Sequence, residues 1–298
     1  MQVRKAGPAV SLAKLSLSPP LGQLSHSWRA SQDTLCCETT GTEKGDWPPC
    51  MAMLDEFVKP ELLQYGEVST ACATLDSSVD DDTLEFYLQA GTADDKDVKR
   101  YRTGQRMLYR MQFYRSILDR AAWTIEHGQS VIIVSDPAQK RRPLSKFFSP
   151  IYRSLVRGIR GVYQNKEQNK RSKEFVGKME KAIEDTIGDR LAEMFEVSSL
   201  VTAPAYRRRG YATALVHVAT DAADARGAPT WLASSNTVNR GFYHSLGFAT
   251  VATFYLGTDN PAWKAPPVPI DIMVREPKEM DGTVREKAAY AFQASQNV

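Results

Sequence analysis

The sequence predicts a mixed α/β layer, and three stretches carry that prediction. Met194 to Val201, "MFEVSSLV", is rich in residues that suit strands, and it runs into a basic turn at Arg207-Arg208-Arg209-Gly210. Tyr211 to Ala225 follows as an Ala-rich helical segment. Between Ala249 and Glu276 two strand-like segments then close the pattern. A strand, a glycine-containing basic turn and a helix in that order present free backbone N–H groups to an anion.

At 298 residues the chain is long enough for one large or two ordinary domains. An apolar content of 42%, a charged content of 24% and a formal net charge of +3 are those of an ordinary globular protein, and the charge alone selects no partner. No apolar run reaches the roughly 18 residues of a membrane span. Cys36, Cys37, Cys50 and Cys72 form no CxxC pair and the chain has 4 histidines, so no metal site is expected. Reduced thiols and a cytoplasmic location are the expectation, with nuclear or mitochondrial placement left open.

Residues 1–50 carry Pro8, Pro19, Pro20, Pro48 and Pro49 among Ser, Gly and Thr, and are expected to be a disordered tail. Their first 30 residues hold Arg4, Lys5, Lys14 and Arg29 without an acid, a presequence-like composition. "SPPLG" (Ser18 to Gly22) breaks any helix there. Residues 51–280 are expected to form a single domain with a basic insertion at 135–171, and 281–298 a C-terminal extension.

Within the domain, Leu62 to Leu75 fits a helix, followed by an acidic loop and a second short helix in "SSVDDDTLEFYLQAG". Asp97 to Ala122 places Tyr101, Met107, Leu108, Met111, Tyr114 and Leu118 near helical spacing, as a stripe that packs into the core. "WTIEHGQSVIIVSDP" reads as two strands joined at His127-Gly128. Lys140 to Lys173 holds eleven Lys or Arg against one acid, Glu167, with Phe147, Phe148, Tyr152 and Tyr163 interspersed. Such a run is a solvated insertion or a surface for nucleic acid or anionic lipid, the solvated reading being preferred. Ser172 to Ile187 is an amphipathic helix. Thr230 to Asn236 is a short strand, Thr237 to Phe248 a helix stopped by Gly247, and Ala249–Gly257 and Pro269–Glu276 the last strands.

These residues resemble the GNAT superfamily of acyl-CoA N-acyltransferases. Arg207-Arg208-Arg209-Gly210-Tyr211-Ala212 is similar to the family pattern [R/Q]-x-x-G-x-[G/A], with Thr202, Pro204 and Tyr206 approaching it. Asn236 and Tyr243 reproduce an "N-x6-Y" spacing, and "SLGF" (Ser245 to Phe248) is similar to the family's "KLGF". The tract from Thr253 to Glu276 looks like the closing strands of fungal-type members. The resemblance is firm over about 172–276, diffuse over 54–135, and absent from the tail and the basic insertion. It implies a mostly antiparallel sheet flanked by helices, acetyl-CoA as cosubstrate, and direct transfer to a primary amine.

By that resemblance the CoA-binding residues are Thr202, Arg207, Arg208, Arg209, Gly210, Tyr211, Ala212, Thr213 and Asn236, with Asn236 alternatively a plain helix cap. The turn suits a pyrophosphate physically: N–H groups meet it at a helix N-terminus, Gly210 and Ala212 keep the approach open, and the arginines attract it. Tyr243 is the candidate acid that protonates the departing thiolate. Glu196, eleven residues before Arg207, sits at the offset where some histone-acetylating members carry their base. Regular alternation puts Glu196 on one face with Ser198, Leu200 and Thr202, unless a bulge intervenes. His217 and His244 are weaker candidates. The acceptor is expected to be a small-molecule amine, with protein lysine or N-terminal amines next. A non-catalytic acyl-CoA or nucleic-acid module using 140–173 is the alternative class.

Overall fold

The computed structural model describes residues 59–79, 82–89, 95–138, 143–279 and 292. The expected tail at 1–50 lies outside them, as does the 281–298 extension apart from Phe292. The strands of the described residues are β1 (Glu61–Leu62), β2 (Ala122–Ile125), β3 (Ser130–Ser135), β4 (Phe195–Thr202), β5 (Thr230–Ser234), β6 (Ala249–Leu256) and β7 (Val268–Arg275). They form a 7-stranded sheet in the order β1-β2-β3-β4-β5-β7-β6. Only the β4–β5 pair is parallel; the other neighbours are antiparallel. This is the mixed, mostly antiparallel sheet flanked by helices that the sequence led us to expect.

The helices on its flanks are α1 (Val68–Asp76), α2 (Thr83–Gln89), α3 (Asp95–Leu118), α4 (Pro143–Tyr163), α5 (Lys166–Thr186), α6 (Tyr211–Arg226) and α7 (Arg240–Ser245). None of those described is long and apolar enough to cross a membrane. Helix α1 begins later than the pattern from Leu62 predicts. Leu62 is taken by strand pairing with Trp123, and the Glu67 carboxylate accepts from Gln64 N–H at 2.8 Å to open a short turn first. Helix α5 begins earlier than Ser172. Asn165 and Gln168 cap each other's backbone N–H groups, at 2.9 and 3.0 Å, which fixes the start at Lys166.

The stripe expected on α3 is corrected. Tyr101, Tyr109 and Phe113 are the buried face, whereas Met107 and Tyr114 are 44% and 42% exposed. Met107 lies two residues from Tyr109, hence about 200° round the helix, and cannot share its face.

Helix α6 packs on one face of the sheet through Leu215, Val216 and Ala219, against Phe195, Val197 and Leu232. Helices α5 and α2 cover the β5–β7 region of the other face, and α1 and α3 cover β2 and β3. The end of α6 is tied to β7 by a buried two-pronged pair, Arg275 to Asp224, both contacts at 2.7 Å. Gly227 ends α6 at φ +63°, a left-handed cap that glycine adopts without strain.

Candidate active site

Strand β4 pairs with β5 only through Phe195–Val197, against Thr230–Leu232. Beyond Val197 the two parallel strands part, leaving Ser198–Thr202 of β4 without a β5 partner. On the other edge of β4 the register shifts: Val134 faces Val197 and Ile133 faces Ser199, so Ser198 is the extra residue of a bulge.

The bulge changes which residues share a face. Phe195, Val197 and Leu200 pack in the α6 cluster, while Glu196, Ser198 and Ser199 line a cavity on the opposite side. The expectation that Leu200 accompanies Glu196 is therefore corrected, because two consecutive serines occupy the Glu196 face and reverse the alternation after them. The Thr202 hydroxyl meets that of Ser130 at 2.7 Å, and both are buried.

The turn after β4 begins with a short 3-10 segment at Pro204–Tyr206. Arg208 then takes φ +63° and Gly210 φ +78°, and α6 starts at Tyr211. A Cβ at Gly210 would meet nothing within 4 Å, so its glycine serves the left-handed backbone and not a tight fit. No side chain caps the helix. The N–H groups of Tyr211, Ala212 and Thr213 precede the first intrahelical bond, Ala214 N–H to Gly210 C=O at 2.9 Å.

The arginines of the turn differ in their engagements. Arg207 Nε donates to the Thr202 carbonyl at 3.3 Å, and Arg209 donates to Ala205 C=O at 3.1 Å and lies 5.0 Å from the Tyr206 ring centroid. Arg208 is exposed. The Tyr211 phenol turns away toward the β2–β3 hairpin, donating to Glu126 at 3.3 Å, which leaves its backbone N–H as the group it offers at the turn. The same hairpin accepts the Ala203 N–H on Gln129 C=O at 2.8 Å. This buttress was not legible in the motif itself.

Tyr243 on α7 is fully buried among the α6 cluster, its ring centroid 5.7 Å from Phe248 and 5.1 Å from Phe242. Among the described residues its hydroxyl has no hydrogen-bond partner, and burial pushes the phenol well above its usual value near 10, so it is protonated at neutral pH. Asn236 is buried and its Oδ1 accepts from Val238 N–H at 3.0 Å, a helix-capping geometry. Tyr243 and Glu196 thus lie on opposite faces of the β4–β5 pair. His217 and His244 are exposed, 3.6 Å from Asp221 and 3.2 Å from Thr250 respectively.

The cavity on the Glu196 face is about 1200 Å³. Its floor is Glu196, Ser198, Ser199 and Trp231, and its walls come from α2, α3, α4 and α5. Among the wall residues, Glu85 of α2 is buried and accepts from Tyr101, Tyr109 and Gln105, each at 3.4 Å. Helix α4, part of the basic stretch, contributes Arg153, Arg157 and Arg160. Their 4- and 3-residue spacing is readable in the sequence, but the side of the helix that meets the cavity is not.

Residues 169–248 match the sequence model described as the Acetyltransferase (GNAT) family. No curated protein matches the chain. Among solved structures, it is similar to arylalkylamine N-acetyltransferase 2 from Aedes aegypti at 13% identity, covering 74% of this chain and 99% of that one, with a TM-score of 0.46. It is similar to polyamine N-acetyltransferase from Drosophila melanogaster at 11% identity, covering 73% and 99%, with a TM-score of 0.43. A third similarity is to a histone acetyltransferase HPA2 and related acetyltransferase from Corynebacterium glutamicum, at 13% identity over 75% and 98%, with a TM-score of 0.44.

Proposed function

We propose, from the premise that the chain carries a GNAT acetyltransferase segment at 169–248 and is an acetyltransferase, that it moves acetyl from acetyl-CoA directly to the primary amine of a small molecule. The observation that carries this reading is the parting of β4 and β5 between two features. One is the uncapped start of α6; the other is a cavity floored by Glu196. The closing strands, which resemble fungal-type members, belong to the same reading.

Acetyl-CoA supplies an acetyl thioester and a diphosphate. The N–H groups from Tyr211 to Thr213 fit that diphosphate, and the helix dipole adds favourable charge there, about 0.3–1 kcal/mol at an exposed site. Arg207, Arg208 and Arg209 give the turn its positive field, Thr202 ends the parted strand, and Asn236 flanks the gap from the β5 side. On the cavity side, Glu196 takes the proton that the attacking amine must lose, directly or through a water. On the α6 side, the Tyr243 hydroxyl holds the proton that the departing thiolate needs. Acid and base thereby sit on opposite faces of the β4–β5 pair and do not neutralise one another. The walled cavity supports a small acceptor over a protein one.

The test is acetyl transfer from acetyl-CoA to a panel of small amines, read as free thiol and as acetylated product by mass spectrometry. Glu196→Gln is expected to lower turnover by about 10²–10⁴-fold and to flatten the acidic limb of its pH profile. Thiol release that is amine-independent, or a Glu196→Gln enzyme as active as the wild type, would overturn the assignment.

A further inference from the structure

The basic stretch singled out in the sequence is arranged against the ordinary rule for a surface helix. Helix α4 lines the cavity with Arg153 and Arg157, both exposed at its rim, and the half-buried Arg160, and leaves Ile151, Leu155 and Val162 exposed at 48%, 53% and 56%. An amphipathic helix laid on a protein for stability alone does the reverse. The three arginines fall at i, i+4 and i+7, on one side of the helix.

The charges in the cavity wall do not pair off with them. Glu85 is held by Tyr101, Tyr109 and Gln105, Asp119 is 3.8 Å from Arg115, and Asp136 is ion-paired with Arg226. Glu180 and Glu196 are the other carboxylates of the lining. Among the described residues no ion pair joins Arg153, Arg157 or Arg160 to a carboxylate, and Arg157 Nε donates to the Arg153 carbonyl at 3.4 Å. Among the described residues the buried Arg160 Nε has no acceptor. A buried guanidinium N–H left without an acceptor is costly, and a carboxylate or phosphate is the group whose geometry satisfies it.

We propose that the acceptor of this cavity is an amine that also carries an anionic group, a carboxylate or a phosphate, held by Arg153, Arg157 and Arg160 while its amine lies toward Glu196. This rests on the acetyl-transfer reading and names its substrate class. Tyr152, over which the Arg115 guanidinium sits at 4.7 Å, and the apolar side chains of Val156, Phe175 and Trp231 line the space between. They suit a short carbon skeleton between the two charged ends.

The experiment uses the full chain and pairs of amines that differ only in the anionic group. These are lysine against cadaverine, tyrosine against tyramine, and phosphoethanolamine against ethanolamine. The anionic member of at least one pair is expected to be preferred in kcat/KM by about 10-fold or more, the effect of one charge-assisted contact. Which pair shows it separates carboxylate from phosphate. In Arg157→Gln and Arg160→Gln that preference collapses, and Arg157→Lys, which keeps charge without the fork, restores part of it. Thermal unfolding of each variant separates loss of preference from loss of fold. A preference for the non-anionic member in every pair, or a preference that survives both Gln variants, overturns the proposal while leaving acetyl transfer intact. Direct calorimetric binding of the same amines without acetyl-CoA decides the cavity independently. Anion-dependent binding lost in the Gln variants supports it even where no amine is acetylated, and absence of such binding overturns it.

Discussion

Replacing Tyr243 by phenylalanine separates folding from chemistry at one atom. The side chain is 0% exposed and, among the described residues, its Oη has no hydrogen-bond partner. A Tyr→Phe change at a buried site ordinarily removes a hydrogen bond with a net value of about 0.5–1.5 kcal/mol. Here there is no such bond to remove, and the ring contacts to Phe242 and Phe248 stay. Burying an unpaired hydroxyl costs about 1–3 kcal/mol in protein data, so its deletion relieves part of that cost. Urea unfolding of Tyr243→Phe should therefore show unchanged stability or a gain of about 1 kcal/mol. Turnover should instead fall by about 10²–10⁴-fold, the usual contribution of a positioned proton donor, with acetyl-CoA binding retained. In the wild type the phenol, pushed well above 10 by burial, should produce no alkaline fall in turnover below that pH. A variant destabilised by more than about 1.5 kcal/mol would show that the hydroxyl has a partner. A variant of unchanged turnover would remove Tyr243 from the reaction.

Other consequences concern the frame that holds the site. Asp224→Asn breaks a pair whose side chains are only 5% and 6% exposed, and should cost about 3–5 kcal/mol in denaturant unfolding, with Asp224→Asn/Arg275→Met recovering part of it. Burial raises the Glu174 carboxyl, but contacts from Tyr87 at 2.6 Å, Lys178 at 2.9 Å and Gly257 N–H at 3.0 Å outweigh it and hold its pKa below the ordinary range. A depressed folded pKa contributes stability above the unfolded value, so this contribution should vanish as pH falls through the folded one, and Glu174→Gln should flatten the acid limb of stability against pH. The Tyr87 phenol is pushed up to about 12, by burial first and then by its bond to Glu174. Its contribution should be complete below the unfolded value near 10 and be lost between there and 12, a window that Tyr87→Phe removes.

The last third of the chain, from Met194 onward, was legible because its signals are local. Gly210, Gly227 and Gly247 sit at φ +78°, +63° and +89°, so each glycine marks a backbone turn that propensity and spacing already announce. What the sequence did not disclose is set by tertiary geometry. The extra serine in β4 moves Leu200 to the face opposite Glu196, and period-2 reasoning has no means of placing it. On α3, Tyr109 and Phe113 win the buried face from Met107 and Tyr114 because α1 and the sheet sit on that side. In the basic stretch Arg153 and Arg157 are exposed, as a solvated face requires, yet with Arg160 they line a cavity, because the neighbours of α4 decide which side of it meets the sheet. The family resemblance nominated Tyr243 and Glu196; that they lie on opposite faces of the sheet was visible only in three dimensions.

The central claim is that the turn from Arg207 to Thr213 receives the diphosphate of acetyl-CoA, and thermal unfolding with and without that ligand tests it most directly. At about 100 times its dissociation constant a ligand adds about 2.7 kcal/mol, which is a shift of several degrees in a chain of this size. The companion variant is Gly210→Asp. Asp tolerates a left-handed backbone better than most residues and a Cβ there meets nothing within 4 Å, so the variant should fold with some loss of stability while a negative charge enters the site, and its shift is read against its own ligand-free unfolding temperature. The account predicts a shift in the wild type that this variant loses. Equal shifts in both proteins, or none in either at saturating acetyl-CoA, would contradict it.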